Sequence, residues 1–455
     1  MTRNGEERVA VIVGLGKTGL SCARFLRERS IPFLVVDSRP TPPGLARFTE
    51  EFPGVLCELG PFRDSTFCNA AELIVSPGVS LREKAIQRAI DQGVPVTGDI
   101  DMFSRLASKP IVAVTGSNGK STVVTLVAEI LRGAGLKVGL GGNLDGDNAR
   151  PALDLLRAGQ PQPDIYVLEL SSFQLETTRE LGAEVAVLLN LSEDHMDRYE
   201  DLKEYLQAKQ RIFRRARKVV INRDCPFSQP PLGSDPEMVE FGLEAPGQQG
   251  FGLLEQGGES FLGFGSRPLL RATELKIFGR HNVANALAAM AICYALDVEM
   301  NAIVEGVRKF QGLPNRCQWI ANIDGTDFYN DSKGTNVGAT VAAIDGLGRT
   351  VSGKVVLIAG GVGKGADFYP LRNVVERFVN TVILIGEAAG QIAAKLDGAA
   401  RIMRATSLEN AVVMAADEAR PGDAVLLSPA CASFDMFTDF NHRGQVFVAA
   451  VRRLQ

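Results

Sequence analysis

Residues 111–122 read Ile111-Val112-Ala113-Val114-Thr115-Gly116-Ser117-Asn118-Gly119-Lys120-Ser121-Thr122. The opening apolar run is strand-length and predicts a buried strand, and the stretch after the glycines predicts a helix to about Arg132. A glycine turn in that position aims backbone N–H groups and the positive end of a helix dipole at one point, which cradles phosphate oxygens. Gly116, Ser117, Asn118 and Gly119 form the turn, Lys120 supplies charge for β- and γ-phosphates, and the hydroxyl of Ser121 or Thr122 suits the Mg²⁺ shell. The strict G-x-x-x-x-G-K-[ST] pattern asks for glycine where this chain has Val114, so the loop is a variant rather than the GTPase type. A plain glycine turn is the alternative, but strand, loop, lysine and hydroxyl in this order favour the phosphate site.

The same grammar recurs on either side. Val9 to Val13 runs into Gly14-Leu15-Gly16-Lys17-Thr18-Gly19, a helical stretch to about Arg29, and a strand from Phe33 ending at Asp37; Lys354 to Ala359 runs into Gly360-Gly361-Val362-Gly363-Lys364-Gly365. Continuously apolar strands alternating with helices predict an α/β fold of doubly covered parallel sheets. A chain of 455 residues suggests roughly three domains at about 150 residues each. Junctions near residue 99 and at Gly312-Leu313-Pro314, after an amphipathic helix (Ala302 to Phe310), divide it into 1–99, 100–312 and 313–455. The polar Gly/Pro-rich region from Cys225 to Gly265 reads as hairpins or loops.

Composition narrows the classes. A formal charge of −4 gives no general attraction to nucleic acid or anionic membrane, so an anionic ligand must meet a local positive patch. Seven cysteines without a C-x-x-C pair argue against a disulfide framework and a thiolate zinc site. No apolar stretch approaches 18 residues and the amino terminus lacks a signal-peptide pattern, so the expectation is a cytoplasmic chain without a transmembrane segment.

Three residues outside the loop invite chemistry. Glu169 ends the apolar strand Ile165 to Leu170 and is either a carboxylate for a phosphate-bound metal or a salt-bridged strand end. His195, one of three histidines, follows the strand Val185 to Leu189, where open α/β sheets place ligands; a hydrogen-bonded structural histidine is the alternative. Lys209 falls on the stripe formed by Leu202, Tyr205, Leu206, Ile212 and Phe213, so it either snorkels to the edge or is held inward for chemistry on its amine.

The runs TGSNGKST, LELSSFQLE, NLSEDHMDRY, GRHNVANALAA, GLPNRCQW, NDSKGTN and LLSPACASFDMF resemble, in order and spacing, those of the Mur ligases of peptidoglycan synthesis, from the first glycine loop to about Gly444. The SSFQLE, HMDRY and SPACAS runs favour the D-glutamate-adding branch. The resemblance implies a Rossmann-like N-terminal domain for a uridine nucleotide, a central P-loop ATPase-type domain with a parallel or mixed sheet, and a Rossmann-like C-terminal domain closing over ATP and amino acid. It implies an ATP-dependent ligase joining D-glutamate to UDP-N-acetylmuramoyl-L-alanine through an acyl phosphate, acting as a monomer.

By the same resemblance, Lys120 and Ser121 serve the phosphates and one Mg²⁺ with Glu169, while His195 and Lys209, the latter as a carbamate, serve a second. Asn282 and Asn285 match contacts to the ATP base, although Asn282 as a plain N-cap remains open. Arg316 and Asp331 match contacts to ATP phosphates and ribose, and Lys333 a charge near the reacting groups. Thr335, Lys364, Ser433 and Phe440 match the D-glutamate pocket, Lys364 suiting a side-chain carboxylate. Asn143 matches an acyl-substrate contact, though GGNLDGD departs from the more usual GGNIG. Gly14, Leu15, Gly16, Lys17, Asp37, Ser38, Arg39, Ser76 and Gly78 match the UDP site.

Two rivals come from other classes. Gly14-x-Gly16-x-x-Gly19 with Asp37 fits the dinucleotide fingerprint of a dehydrogenase, which leaves the phosphate loop, Glu169, His195 and Lys209 unexplained. A nucleotide-binding module without chemistry keeps the loop but has no use for a second-metal pair or an amino-acid pocket.

Overall fold

The computed structural model describes residues 8–144, 150–160, 162–196, 198–231, 233, 236–277 and 279–454. The chain divides into two compact units. The first holds residues 1–242, 247–251 and 288–303; the second holds 243–246, 252–287 and 304–455.

In the first unit, β1 (Ala10–Val13), β2 (Phe33–Asp37), β3 (Cys57–Leu59), β4 (Glu72–Val75) and β5 (Val96–Thr97) form a parallel sheet in the order β3-β2-β1-β4-β5. Its strands are apolar on both faces because helices cover both; Ile12 and Val35 join one core, Val11, Val13 and Val36 another. The chain runs outward one way from β1 and returns to β4 on the other side. Ligands gather at the carboxyl ends of strands at such a reversal.

A second sheet in this unit contains β6 (Ile111–Thr115), β7 (Val138–Gly142), β8 (Ile165–Glu169), β9 (Val185–Leu188), β10 (Lys218–Asn222) and β11 (Glu237–Phe241), ordered β11-β10-β9-β6-β8-β7 and parallel throughout. It reverses at β6, between β8 and β9. The two sheets share one core across the helix Asp99–Leu106, where Phe103 meets Tyr166 edge to face at 5.0 Å. The helix that follows residue 98 has its first five residues, Asp99 to Phe103, buried.

In the second unit, β12 (Gly250–Gln256, beginning in the first unit), β13 (Glu259–Phe264) and β14 (Arg267–Arg271) are successive neighbours, and β13 and β14 pair antiparallel. The Cys225–Gly265 region thus includes hairpin strands as expected, but Glu237–Phe241 pairs parallel with β10. Its mixed apolar and acidic residues, EMVEF, hid that strand because only Val239 and Phe241 are buried. A further sheet is ordered β15 (Gln318–Ile323), β16 (Thr326–Asn330), β20 (Ala424–Leu427), β17 (Val355–Gly360), β18 (Val379–Ile385), β19 (Arg401–Arg404). All its pairings are parallel except the β15–β16 hairpin, which turns at Asp324-Gly325 with φ of 49° and 82°. Val355, Leu357 and Ala359 face one core and Val356 and Ile358 the other. The reversal between β17 and β20 leaves their carboxyl-end loops as neighbours.

Candidate active site

The phosphate loop leaves β6 and enters the helix Lys120–Gly133 through Gly119, whose φ of 84° is the left-handed conformation that glycine adopts without strain. Loop side chains are braced by the segment after β9. The Asn118 N–H donates to Asn190 Oδ1 at 2.9 Å, Asn190 Nδ2 donates to the Asn118 carbonyl at 3.0 Å, and Ser117 Oγ donates to the Ser192 carbonyl at 2.9 Å. Lys120 Nζ donates to the Gly116 and Ser117 carbonyls at 2.8 and 3.0 Å. Ser121 Oγ donates to Glu169 Oε2 at 2.6 Å, and Asn143 Nδ2 lies 3.4 Å from Oε1. Glu169 thus sits against a hydroxyl and an amide, as a carboxylate beside a phosphate site would.

Lys209 is 1% exposed, so snorkelling is excluded. Its Nζ donates to the Gly116 carbonyl at 2.9 Å and lies 4.5 Å from the centre of the Tyr205 ring. Burial drives its pKa well below the ordinary lysine value, the neighbouring Lys120 charge pushes the same way, and Asp194 and Glu169 only partly oppose them. His195, with φ of 58°, packs against Phe173 at 4.8 Å and faces the same Tyr205 ring at 6.4 Å; its side chain is 45% exposed. Among the described residues, no group of three or more His, Cys, Asp or Glu side chains is arranged to hold a metal ion.

The first sheet's reversal point opens into a cleft of about 490 Å³. Gly14, Gly16, Lys17, Asp37, Ser38, Arg39, Ser76 and Gly78 all line it, and so does Asn143. Leu15 is buried beneath, its N–H donating to Asp37 Oδ2 at 2.7 Å. Arg39 grips the same carboxylate at 2.9 and 2.7 Å, and these bonds outweigh burial to hold Asp37 below the usual carboxylate range. The departure from GGNIG begins at Leu144, which also lines the cleft, and its remainder at residues 145–147 lies outside the described residues.

In the second unit, Asn282 and Asn285 lie inside the helix Arg280–Ala295, joined at 3.1 Å, so Asn282 is not an N-cap. Asp331 follows β16 and is buried; burial raises its pKa to about 7 against Ser428 Oγ, 2.7 Å away, the Cys317 N–H and the Arg316 charge. Lys333 Nζ lies 3.8 Å from the centre of the Phe440 ring. Lys364, exposed and with φ of 50°, sits in the loop after β17, which pairs with the β20 loop through Val362 and Ala432 beside the buried Ser433. The Ala430 N–H reaches the Gly334 carbonyl at 2.8 Å, next to Thr335. The strand-end loops carrying Asp331, Thr335, Lys364 and Ser433 therefore meet at one end of the sheet.

Family models match along the chain: a Mur ligase MurD-like N-terminal domain at residues 8–98, a Mur ligase middle domain at 114–293, and a Mur ligase glutamate ligase domain at 315–431. The UDP-N-acetylmuramoylalanine--D-glutamate ligase of Pseudomonas aeruginosa is 49% identical over 454 residues, covering 100% of both chains. The chain belongs to the Mur ligase family. A Marinobacter nauticus protein of the same name is 49% identical, with 98% of this chain and 99% of that one covered. The fold alone is shared with the UDP-N-acetylmuramate-alanine ligase of Thermotoga maritima (TM-score 0.60, 19% identity, 99% and 100% covered). It is likewise shared with a pseudomurein peptide ligase type C of Methanothermus fervidus (TM-score 0.61, 18% identity, 99% and 100% covered).

Two arginines that brace these loops escaped the sequence reading. Arg443 is fully buried and donates to the Ser332 hydroxyl, the Ser332 carbonyl and the Cys431 carbonyl at 3.0, 2.8 and 3.2 Å, fastening the β16 loop to the β20 loop. Arg198 donates to the Pro77 and Val79 carbonyls at 2.9 and 3.2 Å, tying the segment after His195 to the cleft rim. The HMDRY run contained Arg198, but nothing in its spacing pointed to residues about 120 positions earlier.

Proposed function

We propose that this chain is an ATP-dependent ligase that joins D-glutamate to UDP-N-acetylmuramoyl-L-alanine in cytoplasmic peptidoglycan precursor synthesis. The observation that carries the reading is full-length 49% identity to ligases named for that reaction, in a chain whose phosphate loop places Lys120, Ser121, Glu169 and Lys209 together. The L-alanine carboxylate attacks the γ-phosphorus of ATP and ADP leaves. The D-glutamate amine then attacks the acyl carbon, inorganic phosphate leaves, and the amine gives up a proton. Reactants are anionic in the first step, so positioned cations and amides carry most of the catalysis.

In this reading the nucleotide lies in the first cleft, with Gly14, Gly16, Lys17 and Arg39 for its phosphates and Asp37, Ser38, Ser76 and Gly78 for the rest. Lys120 neutralises phosphate charge and Asn143 orients the acyl group. Asn282, Asn285, Arg316 and Asp331 hold ATP, Lys333 lies near the reacting groups, and Thr335, Lys364, Ser433 and Phe440 hold D-glutamate. Ser121 and Glu169 would hold one Mg²⁺, and His195 with Lys209 a second; the ions supply charge neutralisation at phosphate oxygens. The depressed basicity of Lys209 supports its carbamylation, in which the neutral amine adds to CO₂ and one proton leaves, replacing an amine by ligand oxygens. Domains 1–99, 100–312 and 313–455 and a monomeric state complete the proposal.

The test is phosphate release from ATP and Mg²⁺ with UDP-N-acetylmuramoyl-L-alanine, adding D-glutamate, L-glutamate, L-lysine or meso-diaminopimelate separately. Release that requires both the nucleotide and D-glutamate is expected. Release with another acceptor reassigns the branch, and no release from folded, ATP-binding protein overturns the reaction.

A further inference from the structure

The loop after β4, residues 76–83, carries Ser76 and Gly78 on the rim of the first cleft, and Ser76 Oγ donates to the Gly14 carbonyl at 3.0 Å in the glycine turn. The segment after β9 braces the phosphate loop near its start, through Asn190 with Asn118 and Ser192 with Ser117. Farther along, the same segment carries His195 and Arg198. Among the described residues, neither stretch belongs to a strand or helix, so side-chain bonds rather than a backbone ladder set its place.

Arg198 supplies the bonds between them. Its Nη1 donates to the Pro77 carbonyl at 2.9 Å, and its Nη2 donates to the Val79 carbonyl at 3.2 Å and to Glu176 Oε2 at 2.7 Å. Glu176 Oε1 accepts the Tyr199 hydroxyl at 2.6 Å, and the guanidinium carbon lies 4.2 Å from the centre of the Phe173 ring, which packs on His195. The Arg198 and Glu176 side chains are only 13% and 16% exposed, so solvent screens this pair little. A second bridge, Arg82 to Glu204 at 2.8 Å, joins the same loop to the helix Leu202–Gln210, but it is exposed and carries little weight. We infer that Arg198 is a positioning residue that couples the two sites: a uridine nucleotide ordering the 76–79 rim and a nucleoside triphosphate ordering the phosphate loop favour each other through this side chain. The identity of the two ligands rests on the ligase reading above. Such coupling is reciprocal and commonly worth about 5- to 150-fold in affinity.

The experiment is calorimetric titration of the full chain with UDP, with and without saturating Mg²⁺ and the non-hydrolysable analogue β,γ-imido-ATP, in wild type, Arg198→Ala and Arg198→Lys. UDP lacks the peptide end that reacts with ATP in the proposed reaction, so the two probes influence each other through the protein. Wild type is expected to bind UDP at least about fivefold tighter with the analogue present. Arg198→Ala is expected to cut that gain below about twofold while binding each probe alone within about threefold of wild type. Arg198→Lys keeps a cation beside Glu176 but not the planar fork that reaches both carbonyls, and is expected to lose the gain as well. A gain retained in both variants, or no gain in wild type that binds both probes, overturns the coupling and leaves the ligase reading standing. Loss of both probes alone by about tenfold or more in both variants also overturns it, marking Arg198 as structural. Wild type that binds the analogue but neither UDP nor UDP-N-acetylmuramoyl-L-alanine overturns the ligase reading, and this coupling with it.

Discussion

The two glycine turns of the first unit share one grammar and stand among different neighbours. Each follows a buried parallel strand at a sheet's reversal point and feeds a helix, Lys17–Glu28 in one and Lys120–Gly133 in the other. The first turn faces an open cleft; a side chain added at Gly16 would meet nothing within 4 Å, which leaves room for a ligand to approach the backbone. The carboxylate nearest the turn, Asp37, is neutralised by Arg39. The second turn is crowded by side chains, with two amines on the Gly116 carbonyl and a hydroxyl–carboxylate pair beside them. A glycine turn says that a phosphate can be held. The neighbours decide whether that phosphate is only bound or is also transferred.

If that contrast holds, damage at the second turn should remove chemistry, and damage at the first should weaken one substrate. Lys209→Ala should lower kcat about a thousandfold, the scale of losing a positioned electrostatic group. Calorimetry should still show UDP binding within twofold, and thermal melting should show a folded protein. Full turnover by the folded variant would refute any role for the amine. Arg39→Ala should instead raise KM for the UDP precursor roughly tenfold, about 1.4 kcal/mol, with kcat and the KM for ATP nearly unchanged. A kcat loss matching that of Lys209→Ala would erase the distinction between the turns. In the second unit, Lys364→Ala should raise KM for D-glutamate several-fold more than that for ATP, measured by phosphate release; the reverse order would remove Lys364 from the amino-acid pocket.

Much of this contrast was legible in the sequence, and the limits have physical causes. Strand, turn and helix are local, so the expected helix to Arg132 ends at Gly133, and that to Arg29 ends at Glu28. Lys209 stood out because a charge on an apolar stripe is a local conflict. Its hydrogen-bond partner did not, because Gly116 is 93 residues away and a carbonyl carries no side-chain signature. Arg443 and Asp99 were invisible for a related reason. Surface and buried charges look alike in a sequence until the fold packs other segments around them, and Asp99 read there only as part of a domain junction.

The smallest expected effect separates two carboxylates lining the same cleft. Asp37 is held below its ordinary pKa, so its bonds stabilise the fold above about pH 4, and that stabilisation is lost as pH falls through the folded-state value. Asp99 is raised to about 6, so the folded state binds its proton more tightly than the unfolded chain does. Its contribution has the opposite sign: stability should fall as pH rises from about 4 to about 6, and remain lower above that. Asp99→Asn cannot ionise, so it should lack this decline and melt at most a few degrees above wild type at pH 7.5, the two converging near pH 4. Asp37→Asn should do the reverse, melting below wild type at pH 7.5 and converging with it in acid. Parallel pH profiles for wild type and Asp99→Asn would mean that burial leaves the Asp99 carboxyl at its ordinary value, and would remove the opposite signs of the two carboxylates.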